Sequence, residues 1–176
     1  MRTPIIVMAA LTFALAAVPV VAADGAYSPE PSKDPNVPAC QIFSGEEISA
    51  ALNGSAEVRE SYGTDTTVGL CSWQNSAHDA FVKVSYFPPG SQGLPEGKER
   101  ESFEFYARNK QNQFEPGQFA PVADIGDAAW SLNIKDNEEA YYSVEFVKGS
   151  TTVTIDTNGI GLDATVQLAK AAAARL

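Results

Sequence analysis

Few residues of this chain have a type and spacing that could do chemistry. There are two cysteines, Cys40 and Cys71, one histidine, His78, and some short acidic clusters. Neither cysteine sits in a Cys-x-x-Cys pair, and none of His, Cys or carboxylate stands at ligand spacing beside either one, so redox and metal readings do not fit. A single structural disulfide, Cys40–Cys71, is predicted; it closes a loop of about 30 residues, worth roughly 3–4 kcal/mol through loss of unfolded-chain entropy. His78 lies in Asn75-Ser76-Ala77-His78-Asp79, a turn-like stretch, and no G-x-S-x-G, H-E-x-x-H or phosphate-loop motif offers it a partner. Asp124 and Asp127 flank Ile125-Gly126 and could act as paired carboxylates on a glycosidic bond, although turn chemistry explains both equally well. Residues 156–163 resemble a calcium loop at positions 1, 3 and 6, but Ile160 stands at position 5 and Gln167 at position 12, where ligands are required. No catalytic residue, metal or cofactor is assigned.

What remains is a surface. In 80–87, Ala80, Val82, Val84 and Tyr86 alternate with Phe81, Lys83, Ser85 and Phe87, so both faces of that strand carry apolar side chains. Tyr141 and Tyr142 likewise place an aromatic on each face of theirs. If helices leave one face open, Phe81, Lys83, Phe87, Tyr141 and Glu145 form a mixed aromatic and polar patch of the kind that marks binding sites.

These residues need elements to hold them. Ser44 and Glu47 form a capping box and Phe43 and Ile48 a hydrophobic staple, which predicts a helix from 44 that ends at Asn53-Gly54. That role accounts for Glu46 and Glu47, which also suit the positive end of the helix dipole. Strands are predicted at 58–62, at 68–74 with Cys71 and Trp73 on one face, and at 80–87. The 88–97 loop is rich in Gly, Pro and Ser. Residues 99–111 read as an amphipathic helix with Phe103, Tyr106, Ala107 and Lys110 on its stripe and Phe105 off it. Strands at 128–134, 140–148 and 151–157 follow, joined by hairpin turns at 135–139 and 149–150. Asp163 is expected to cap a last helix, 164–176. The order αβββαβββα with short connections predicts an α+β domain: an antiparallel sheet of about six strands packed with three helices. Gly69 to Trp73 echoes Gly126 to Trp130, and Ala80 to Tyr86 echoes Ala140 to Phe146, as a duplication would.

The start of the chain reads as an export signal. Arg2 precedes an apolar run, 5–21, and Val21-Ala22-Ala23 supplies the small residues of a cleavage site after Ala23. The run is short for a membrane span, contains Pro19 and lacks a basic stop-transfer cluster. Residues 1–23 are therefore a signal peptide, 24–38 a Pro-rich flexible leader and 39–176 a single domain, periplasmic or secreted and without a stable membrane span once mature. With 12 Lys+Arg against 22 Asp+Glu the formal charge is −10, which argues against nucleic acid or an anionic membrane as partner. A monomer that binds an envelope protein or a small ligand is expected.

Cys40, the capped helix 44–52, Val68-Gly69-Leu70-Cys71-Ser72-Trp73, Ile125-Gly126-Asp127-Ala128-Ala129-Trp130 and the closing Ala/Leu helix together resemble a broad family of exported bacterial proteins of unknown function. Many members are actinobacterial envelope lipoproteins, with a Cys before a capped helix, C-S-W or C-T-W on the next strand and a later G-L-G-D-E-A-x-W. The resemblance covers most of the mature chain and implies a compact α+β sandwich in the cell envelope. This chain lacks the lipidation Cys, so membrane anchoring has no acceptor, and Ala128 stands where the family usually has Glu. The family brings no catalytic residues with it. The resulting expectation is a non-enzymatic binding or accessory module; the alternative is a small carboxylate-dependent hydrolase.

Overall fold

The computed structural model describes residues 33–92, 97–136 and 139–176. The expected signal peptide (1–23), the expected leader as far as 32, and residues 93–96 and 137–138, which fall in the predicted 88–97 loop and 135–139 turn, lie outside the described residues.

The alternating runs and their turn residues form strands β1 (Ala56–Tyr62), β2 (Gly69–Asn75), β3 (Phe81–Phe87), β4 (Phe119–Pro121), β5 (Ala128–Asp136), β6 (Glu139–Lys148) and β7 (Thr151–Asn158). They make one sheet in the order β1-β2-β3-β7-β6-β5-β4, with every neighbouring pair antiparallel. The helices are α1 (Pro38–Gln41), α2 (Gly45–Ala51), α3 (Glu99–Gln111) and α4 (Leu162–Arg175).

The α+β class and the antiparallel sheet are as expected, but the described residues hold seven strands and four helices rather than six and three. The two extra elements are too short to leave a periodic signal. α1 is a single turn with Pro38 at its start and no side-chain cap. β4 has three residues and ends at Pro121, which lacks the N–H that a longer ladder needs and so suits only a short edge strand. The last helix also starts earlier than expected. Its N-cap is Gly161, and Asp163 lies within the first turn without capping it.

The pleat divides the sheet into two cores. Cys71, Trp73, Val82, Val84, Val144, Phe146, Val153 and Ile155 point to one face, beneath α1, α2 and α4. There Ser44 and Glu47 close the capping box and Phe43 and Ile48 are both buried. The Cys40–Cys71 disulfide ties α1 to β2 across a sequence separation of 31. Arg175, at the end of α4, reaches back to the Glu47 carboxylate and the Ile42 carbonyl and lies over the Phe43 ring, which clamps α4 against α2.

The other face has a smaller core. Phe103 and Ala107 of α3 cover Trp130, Leu132 and Val147, and Phe119 stacks on Trp130 with ring centroids 5.1 Å apart. The echo between the two halves does not extend to the faces: Trp73 joins the first core and Trp130 the second. Seven positions separate Trp73 from Ala80 but ten separate Trp130 from Ala140. That odd difference turns the second Trp to the opposite side, because side chains alternate with a period of two.

Candidate functional site

Among the described residues, α3 is the helix packed on the second face, and it covers the β4–β6 end. The β3 and β7 part of that face carries no helix. Register then sets out its floor. Across β3, β7 and β6 the facing residues are Phe81–Asn158–Tyr141, Lys83–Asp156–Ser143, Ser85–Thr154–Glu145 and Phe87–Thr152–Val147. Phe81, Lys83, Phe87, Tyr141 and Glu145, which belong to two strands far apart in sequence, are thus brought onto one face, with β7 between them.

At the centre is Asp156, whose carboxylate is 8% exposed. It accepts a 2.6 Å hydrogen bond from the Tyr141 hydroxyl and pairs with the Lys83 ammonium at 3.0 Å. Burial, followed by the hydrogen bond and charge of Asp156, pushes the Tyr141 phenol well above its ordinary range, so it stays protonated and donating. The sequence places Asp156 in the 151–157 strand and at the first position of an incomplete calcium loop, without a role on the face. The overlooked signal was a lone carboxylate inside a β-branched run, in phase with Thr152 and Thr154.

A second pair stands toward α3. Lys110 reaches the Glu145 carboxylate at 3.4 Å, with its ammonium 5.2 Å from the Phe119 ring centre and 5.6 Å from that of Tyr106. Tyr106 was expected on the buried stripe but is 54% exposed. It lies one turn from Lys110, and the long Lys110 stem occupies the space between helix and sheet in its place. Phe105, expected off the stripe, is exposed. At the other end of the trough, Glu99 of α3 shares a small cleft with Phe87 and Thr152.

Where β3 begins and β7 ends, the trough opens into a cleft of about 720 Å³ lined by Gln74, His78, Asp79, Phe81, Tyr142 and Asn158. The Asn158-Gly159 turn forms its wall. Gly159 has φ +75°, and a Cβ there would meet the Asp79 carbonyl oxygen at 2.4 Å, so only glycine fits this close approach. His78, also left-handed at φ +60°, is exposed in the β2–β3 turn. The Asp79 carboxylate accepts from the Asn75 amide at 2.6 Å.

Asp124 and Asp127 are elsewhere. Both are exposed just before β5, and the Asp127 carboxylate accepts the Gly149 N–H at 2.7 Å, which ties down the β6–β7 turn. No helix of the described residues is long and apolar enough to cross a membrane. No protein-family model matches the chain, and no curated protein or solved structure matches it either.

Each floor carboxylate is matched by an ammonium, Asp156 by Lys83 and Glu145 by Lys110. What the floor offers a ligand is hydroxyl groups and aromatic rings on a rigid sheet.

Proposed function

We propose that this protein is an exported, monomeric accessory module of the cell envelope that captures another envelope component on the uncovered half of its sheet. The observation that carries this reading is the half-covered second face. Its helix stops at β6, and the aromatic and polar side chains beyond it are held in fixed register by β3 and β7. A rigid sheet presenting a few ordered polar groups among aromatics is a common form of binding surface. Export is supported by the apolar run ahead of Ala22-Ala23 and by the Cys40–Cys71 bridge, since disulfides persist in oxidising compartments. The hydrolase reading has less support, because the Asp127 carboxylate already serves the Gly149 turn.

The test is crosslinking capture from native envelopes with the mature, oxidised chain and its Phe81→Ala and Phe87→Ala variants, alongside their melting temperatures. Capture that falls while the fold survives supports the reading. Capture unchanged in both variants, or a turnover abolished by Asp124→Asn with Asp127→Asn, overturns it.

A further inference from the structure

We infer that the trough binds a neutral glycan, an extended chain of uncharged sugars laid along β3 with sugar faces on the Phe81 and Phe87 rings. This inference rests on the open face being the binding surface, and it names the ligand class.

Shape is the first argument. Phe81 and Phe87 point to the same side six positions apart, about 20 Å along a strand. The floor between them is a run of paired strands bounded on one side by α3, so it suits an extended chain more than a compact molecule. Where β3 begins, the chain meets the 720 Å³ cleft, where Gln74, Asn158 and Asp79 bring amide and carboxylate groups to its terminus.

Floor chemistry is the second argument. Ser85 and Thr154, both part-exposed, lie between the rings on adjacent strands. A hydroxyl both donates and accepts, so it matches a sugar hydroxyl in either orientation. Protein-binding hot spots instead favour Trp, Tyr and Arg and are poor in Ser and Thr.

The third argument is charge. Lys83 and Lys110 are both engaged, at 3.0 and 3.4 Å, by carboxylates of the floor. An anionic ligand would have to compete with Asp156 or Glu145 for these ammoniums, and the formal charge of −10 repels a polyanion. A neutral glycan leaves both pairs as they are.

The experiment is an amide-resolved NMR titration of the mature, oxidised chain with cellohexaose, maltohexaose and xylohexaose, and with hexagalacturonate as the acidic counterpart. At least one neutral chain is expected to bind with Kd near 1 mM. Shifts should be confined to β3, β7 and the adjoining cleft. Phe81→Ala and Phe87→Ala should each weaken binding about fivefold or more; Phe81→Leu, which keeps apolar bulk at this half-buried position but removes the ring face, should weaken it likewise and keeps the test decisive if the alanine variants unfold. The inference is overturned if hexagalacturonate binds more tightly than every neutral chain, if no neutral chain shifts the spectrum at about 10 mM, or if the shifts fall outside the trough. If neutral chains fail while envelope capture still depends on Phe81 and Phe87, the ligand class is wrong and the binding surface stands. If capture is independent of both, the two readings fall together.

Discussion

Replacing Asp156 probes the trough at its centre. Asp156→Ala removes the acceptor of the Tyr141 hydroxyl and the counter-charge of Lys83 together. Leaving the half-buried phenol without a partner costs about 1–3 kcal/mol. The lost ion pair adds little, about 0.5 kcal/mol, because the Lys83 side chain is 38% exposed and returns to water. The expected loss is about 1.5–3.5 kcal/mol. Tyr141→Phe removes the donor instead and should cost about 1–2 kcal/mol. In the double variant the penalties overlap, so a urea-unfolding cycle at neutral pH should give a coupling of about 1–2 kcal/mol. Alkaline titration supplies a second readout. The Tyr141 phenol has a folded pKa above its unfolded value, so its contribution is complete below about pH 10 and falls away as pH rises beyond that. Removing the Asp156 charge should bring phenolate absorbance from Tyr141 to lower pH, yet still above that of an exposed tyrosine, because burial is the larger cause. Additive penalties within about 0.5 kcal/mol, together with an unchanged phenolate titration, would refute the reasoning.

Two further outcomes are expected. Reducing Cys40–Cys71 should lower unfolding free energy by about 3–4 kcal/mol, read from urea curves with and without reductant; a loss under about 1 kcal/mol would mean that the unfolded chain gains little freedom from the cut. Glu47 is held down to about 2 from an ordinary 4.5, chiefly by the Arg175 hydrogen bond and then by the Ser44 N–H. A depressed carboxylate contributes stability that is present above pH 4.5 and lost as pH falls toward 2. Both side chains of the Glu47–Arg175 pair are more than a third exposed, so the charge is worth about 1 kcal/mol after screening. Glu47→Gln retains the capping geometry, so it should flatten stability across that window in an acid titration of melting temperature. An unchanged acid limb would show the Arg175 clamp to be without effect.

Legibility varied with how local the cause was. The capped start of α2 was readable because Ser44, Glu47, Phe43 and Ile48 lie within five positions. The split of β3 into Val82/Val84 and Phe81/Lys83/Phe87 faces was readable from alternation alone. The 99–111 helix emerged with its predicted bounds, but Tyr106 did not join its core. A helical stripe does not say how wide a strip of sheet lies beneath, and here Phe103 and Ala107 fill it. α1 and β4 left no trace because one turn and three residues hold no period. The internal echo misled because matching motifs say nothing of the parity of the spacing between them.

By itself the sequence determined which side chains share a face, where α2 and α3 begin, that Cys40 and Cys71 are the pair available for a bridge, and that the chain is acidic. These follow from periods of 2 and 3.6 and from composition, all of which are local or additive. Only the tertiary structure decided that β3 pairs with β7, which puts Lys83 beside Asp156 and Asp156 within reach of Tyr141, and that α3 stops short of them. Several β-branched strands could have stood next to β3 with similar ladders of hydrogen bonds. The choice among them is made when two cores must close over opposite faces of one sheet, and no stretch of ten residues contains that constraint.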